Sequence, residues 1–241
     1  MKLLLNGGGC GEQTIIAIQK LNKIIDHDKP ILYIPLAMDE NTHPYDGCLE
    51  WIKKELALVD VPRIDMTRNF EELASKNYND YSCLFIGGGN TYKLLKGLKK
   101  SGAFDKIKEY ILNDGIIFGS SAGAVIFGLD IDIISSMDQN IVNLTDTAGF
   151  NIIDGISLFP HYTNAKSKLT DEENDERHNK FTNSIIEFSN TIGPVIAYPE
   201  EDTIFIDGNN IYMLGTRPYY IFKFGTSKKI EIINNNINIY K

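Results

Sequence analysis

The chain has 241 residues, 43% of them hydrophobic and 23% charged, an ordinary globular balance that excludes a fibrous or disordered chain. A formal net charge of −8 makes nucleic-acid backbones and anionic membranes poor partners, while saying nothing about a single pocket. The three cysteines, Cys10, Cys48 and Cys83, form no CxxC spacing or Cys/His cluster, which favours reduced thiols over a disulfide or a zinc site.

In chain order, Lys2 to Leu5 reads as a first buried strand. Only four apolar residues precede Asn6, too few for a signal peptide or membrane span, so the cytoplasm is the expected location. Glu12 to Ile25 has helical apolar spacing. Pro30 to Leu36 is a second apolar run, and a helix is expected over Asp46 to Leu58. Ser82 to Ile86 forms a strand ending in Gly87, Gly88 and Gly89, and Asn90 is placed to cap the following helix. A further helix spans about Phe104 to Asn113, and Ile116 to Phe118 is the next strand. Continuous apolar strands separated by helices indicate a three-layer, doubly wound α/β fold, its mostly parallel sheet covered by helices on both faces. From about Ile192 the texture changes. TIFID and IYMLG flank Gly208-Asn209-Asn210 as a C-terminal β-hairpin region, and IEIINNNINIY alternates as a half-buried strand would. With no linker or repeat, residues 1–241 are expected to form a single α/β domain.

The sharpest motif is Gly119-Ser120-Ser121-Ala122-Gly123, a GxSxG pattern directly after a strand. A serine on such a tight turn is held clear of the sheet as a nucleophile, and the Ala122 amide is placed to meet a developing oxyanion. Gly88 or Gly89, at another strand-to-helix turn, can supply a second amide. Gly7-Gly8-Gly9 lacks the GxGxxG spacing and the GK[ST] ending, which argues against a nucleotide loop. Of the four histidines, His27, His43 and His178 lie in polar stretches, whereas His161 follows the apolar run Ile156 to Pro160. That run is expected to end on the edge carrying Ser121, which makes His161 the candidate base. Asp130, Asp132, Asp138, Asp146, Asp154 and the pair Glu200/Glu201 all qualify as the orienting acid, and spacing selects none of them.

The segments GGGNTYKLL, GSSAGA and FPHYTNA resemble the dipeptidase E and cyanophycinase family of serine peptidases, which is similar to the class I glutamine amidotransferase fold with serine replacing cysteine. That resemblance implies Ser121 as nucleophile and His161 as base. It nominates Asp138, at the end of Ile134–Asp138, as the acid, with Glu201 in reserve through the segment Pro199–Thr203. It also implies a substrate-binding arginine, for which Arg177 is the nearest match, and a place for Asn90 at the substrate. The expected activity is hydrolysis of small peptides, with aspartyl dipeptides as the narrower reading, through an acyl-enzyme and without metal or organic cofactor. A small peptide is the expected partner, and a homodimer a compatible assembly. Two alternatives stand beside it: a non-catalytic relative that binds a peptide or metabolite, and an α/β-hydrolase-type esterase. Against the esterase, only 40 residues separate Ser121 from His161. A glutamine amidotransferase is disfavoured by serine at the elbow.

Overall fold

The computed structural model describes residues 1–232. The elements begin with β1 (Lys2–Asn6), a 3₁₀ turn at Gly11–Thr14, α1 (Ile15–Asn22), β2 (Ile31–Ile34), α2 (Tyr45–Glu55), β3 (Ile64–Met66) and α3 (Phe70–Ser75). There follow β4 (Cys83–Ile86), α4 (Thr91–Ser101), α5 (Ala103–Leu112), β5 (Ile116–Ser120), α6 (Ala122–Val125), β6 (Ser157–Phe159) and α7 (Asp171–Thr191). The chain then turns to strands: β7 (Val195–Ala197), β8 (Thr203–Asp207), β9 (Asn210–Leu214), β10 (Tyr219–Lys223) and β11 (Thr226–Ile230).

A seven-stranded sheet runs in the order β3-β2-β4-β5-β1-β8-β9. Its first five strands pair in parallel, while β8 and β9 are antiparallel additions. Alternate residues of the central strands enter two different cores. Leu3, Leu5, Leu84, Ile86 and Ile117 pack with α4, α5 and α6 on one face. Leu4, Tyr33, Phe85 and Phe118 pack with α1 and α2 on the other. Because both faces are covered, these strands read as continuous apolar runs rather than alternating ones. This is the three-layer α/β architecture with a mostly parallel sheet. The β8–β9 hairpin closes on Gly208-Asn209, with Gly208 at φ 59°.

A second, four-stranded sheet, β11-β10-β7-β6, was not expected from the sequence. Its strands β6 and β7 have three residues each, too short to show a period. β3 escaped for a related reason: its three residues are all half-buried and form no apolar run. The expected helix at Glu12 to Ile25 is a 3₁₀ turn followed by the shorter α1, and α2 stops at Glu55 rather than Leu58. Most of the expected strand in IEIINNNINIY lies outside the described residues. Among the described residues, no helix is long and apolar enough to cross a membrane.

Candidate active site

Strand register gathers four turns on one edge. In β4, β5 and β1 the pairs Ile86↔Gly119 and Asn6↔Ser120 are in line. The segments Gly87–Gly89, Ser121 and Gly7–Gly9 therefore leave the sheet side by side, on the carboxyl edge where α/β proteins bind ligands. β8 is antiparallel to β1 with Thr203 opposite Asn6, so the start of β8 reaches the same edge. That start follows directly on Glu200-Glu201-Asp202. In the small sheet, parallel β6 and β7 pair Phe159 with Ala197, which sets His161 beside the Tyr198–Glu200 segment. His161 thus follows a strand of the second sheet, whereas the sequence pattern predicts a strand end on the same sheet edge as Ser121.

Ser121 sits at φ 53° and ψ −115°, a conformation that costs a non-glycine residue about 1–3 kcal/mol. Its N–H donates to the Asn6 carbonyl at 3.1 Å. The flanking glycines let strand and helix approach: a Cβ on Gly119 would lie 2.2 Å from the Gly123 carbonyl oxygen, and one on Gly123 2.1 Å from that of Ile86. Ala122 opens α6, so its amide has no carbonyl to serve within the helix. Gly88 abuts the serine, since a Cβ there would stand 3.1 Å from Ser121 Cβ. Gly89, at φ +135°, is needed against the Ala37 backbone and lines the same cleft.

Ser121 Oγ lies 2.7 Å from His161 Nε2, and His161 Nδ1 lies 2.8 Å from Glu200 Oε1. Burial pushes the Glu200 carboxyl up, but the hydrogen bond and charge of His161 together with Lys166, 3.4 Å away, outweigh it and bring it down to about 2. An ionised carboxylate only accepts, so Nδ1 carries the imidazole proton and Nε2 is left to accept from the serine hydroxyl. Asn164 Oδ1 receives the Glu200 N–H at 2.8 Å and fixes the loop.

Glu200 therefore occupies the position for which the sequence nominated Asp138. Both Asp138 bonds go elsewhere: its Oδ2 accepts from Thr91 N and Thr91 Oγ1, each at 2.8 Å, at the start of α4. The reserve acid Glu201 is one residue off. It pairs with Arg217 at 3.1 Å and accepts from Asn164 Nδ2 at 3.1 Å. Asn90 is also committed elsewhere, accepting from Lys93 N and donating to the Gln139 carbonyl. Arg177 donates to the Asn164 carbonyl at 2.7 Å and lies over the Phe181 ring. With Lys166 and Lys180 it lines a cavity of about 400 Å³ that reaches His161. His27 is bound to the Asp60 carbonyl, and His178 packs on Tyr162. His43 is exposed but borders the cleft at Ser121.

No motif assigned a role to three residues that hold this constellation. Asn6, fully buried, accepts from Gly8 N at 2.9 Å and donates to Thr203 Oγ1 at 3.0 Å. Gly8, at φ +102°, leaves room for the base: a Cβ there would lie 2.2 Å from His161 Cε1. A Cβ on Gly7 would likewise lie 1.9 Å from the Pro199 carbonyl oxygen. The glycine run dismissed as a nucleotide loop is thus the floor under His161 and Glu200.

A strained serine hydrogen-bonded to a carboxylate-backed histidine on the edge of an α/β sheet defines a hydrolase-type site. Residues 3–214 match the peptidase family S51, and the chain belongs to that family. It is a serine peptidase. A "Peptidase E" of a Nostoc species is 25% identical over 243 residues, covering 98% of this chain and 94% of that one. A "Peptidase E" of Shewanella oneidensis is 32% identical over 157 residues, 64% of this chain and 61% of the relative. Among solved structures, a Listeria monocytogenes protein provisionally called peptidase E superposes with a TM-score of 0.66 at 25% identity, over 90% of this chain and 98% of the other.

Proposed function

We propose that the protein hydrolyses small peptides through a Ser121–His161–Glu200 triad and an acyl-enzyme. The observation that carries this reading is the unbroken line of short contacts, 2.7 Å from Ser121 Oγ to His161 Nε2 and 2.8 Å from Nδ1 to Glu200. His161 takes the serine proton as Oγ attacks the peptide carbonyl, and Glu200 stabilises the imidazolium that forms. The amides of Ala122 and of Gly88 or Gly89 receive the oxyanion. His161 then returns the proton to the leaving amine, and water, deprotonated by the same base, releases the acyl group.

Two cavities of about 620 and 400 Å³ meet at His161, sizes suited to a small ligand. Lys166, Arg177 and Lys180 line the smaller one and offer charge to a substrate carboxylate. The "Peptidase E" names of the relatives agree with a peptide substrate. The free thiols Cys10, Cys48 and Cys83 agree with a reducing compartment such as the cytoplasm. The esterase alternative fits less well, because the order here is Ser, His, Glu, whereas α/β-hydrolases place the acid before the histidine.

The test is hydrolysis of dipeptides beside their C-terminal amides, with Ser121→Ala in parallel. Turnover is expected to vanish in the variant and to fall at least about tenfold on amidation. Asp-X members of the panel test the aspartyl reading of Arg177. Undiminished turnover by Ser121→Ala would overturn the triad.

A further inference from the structure

The larger of the two cavities that meet at His161 has walls unlike the smaller. Ser121, Gly88 and Gly89 border it, and the far wall is made by Tyr33, Met38, Pro44, Cys48 and Trp51. Pro44, Cys48 and Trp51 fall at i, i+4 and i+7, so the start of α2 turns one apolar face towards the serine. Tyr33 stands behind it, 6.5 Å from the Trp51 ring centre to centre. No Lys, Arg, Asp or Glu lines this cleft. Burial also pushes the Cys48 thiol and the Tyr33 hydroxyl up, so the wall stays neutral. Trp51, the chain's one tryptophan, keeps 39% of its surface exposed and so offers ring area to a group bound in the cleft.

We infer that this cleft receives the side chain of the acyl residue, the one whose carbonyl Ser121 attacks, and that it selects a large apolar or aromatic side chain. The inference rests on the peptidase reading above. A carbonyl oxygen directed at the amides of Gly88 and Ala122 places the acyl residue in the cleft that Gly88 and Ser121 border. The leaving nitrogen must face His161 Nε2, and beyond His161 lies the cationic cavity, which meets the free carboxylate of the leaving residue. A carboxylate side chain on the acyl residue would meet no Lys or Arg in this cleft, only the exposed His43 at its border, and would lie against apolar groups, which is unfavourable. The favoured dipeptide is therefore apolar first, with its only negative charge at the far end.

Gly47 provides a means of testing this without touching the catalytic groups. It lies on α2 at the cleft, and a Cβ added there meets nothing within 4 Å. Gly47→Leu replaces a poor helix residue with a good one and fills the space, so the variant is expected to fold. The measurement is kcat/KM for Phe-Gly, Ala-Gly, Asp-Gly and Gly-Phe with the wild type, Gly47→Leu and Trp51→Ala. Wild type should prefer Phe-Gly to Ala-Gly by at least about tenfold, the least that even one methylene in an apolar pocket supplies. It should turn over Asp-Gly no better than Ala-Gly. Both variants should lower the Phe-Gly to Ala-Gly ratio by about tenfold or more. A preference for Asp-Gly or for Gly-Phe, or a ratio that neither variant moves, would overturn the inference while leaving Ser121-dependent peptidase activity standing. Absence of any Ser121-dependent turnover would instead overturn the peptidase reading, and the inference with it.

Discussion

Glu200, Glu201 and Asp202 are three acids in succession with three unrelated duties, which shows how finely a site is set at the residue scale. Glu200 faces His161, Glu201 faces Arg217, and Asp202 is fully buried with Oδ1 accepting from Thr216 N. Adjacent side chains on a turn point in different directions, so no spacing rule separates them; only the partners do. Glu200→Gln should lower kcat roughly 10⁴-fold, the loss seen when the acid of such a triad is made neutral. Asp138→Asn should leave kcat within a few-fold and cost about 1 kcal/mol of stability through the weakened start of α4. Steady-state kinetics and thermal unfolding of the two variants would check this, and a reversed pattern would restore Asp138 as the acid. With its carboxyl held down to about 2, Glu200 should stay ionised between pH 7 and 4. Glu200 adds stability above its ordinary value of 4.5, and that contribution is lost as pH falls through about 2.

At the scale of elements, the candidate nucleophile Ser121 was legible and the proposed acid Glu200 was not, for one physical reason. Ser121 sits on a strand-to-helix turn that is partly closed within itself: a Cβ on Gly119 would meet the Gly123 carbonyl four residues on, although one on Gly123 would meet that of Ile86 in the neighbouring strand. That signature is contiguous in sequence. Glu200 reaches the site only because β8 runs antiparallel to β1 and β6 runs parallel to β7, pairings between residues 197 and 38 positions apart. The parallel core was legible because strands covered on both faces are continuously apolar, while three-residue strands such as β6 and β7 carry no period. The same reasoning explains Gly7–Gly9, whose glycines answer to residues more than 150 positions away, Gly8 to His161 and Gly7 to Pro199. Gly8→Ala should displace the imidazole and cut kcat/KM about 10²-fold, as a 1 Å misplacement of a catalytic group does. Circular dichroism should show the fold retained, and unchanged kinetics would contradict the crowding of His161 by any side chain at residue 8.

On the scale of the whole molecule, the site lies at the junction of the two sheets, and Asp202 is the charge buried there. Its backbone carbonyl accepts from Gly7 N at 2.9 Å, while Oδ2 has no hydrogen-bond partner among the described residues. Burial raises its carboxyl to about 7, against the N–H bonds of Arg217 and Thr216 that favour ionisation, with the Glu201 charge adding to the rise. The native state then holds a proton that the unfolded chain releases at its ordinary value of 3.8. Stability should therefore fall as pH rises from about 4 to about 7 and stay reduced above. Asp202→Asn keeps the Oδ1 acceptor and removes the charge. It should raise Tm at pH 8 and change it little at pH 4; an equal shift at both would mean that this carboxyl does not titrate with folding.

The most direct test of the triad is covalent labelling with a fluorophosphonate, read by intact mass and peptide mapping. One adduct on Ser121 is expected, absent in Ser121→Ala and formed much more slowly in Glu200→Gln than in Asp138→Asn. No adduct, an adduct on another residue, or equal rates in the two acid variants would contradict a Ser121–His161–Glu200 active site.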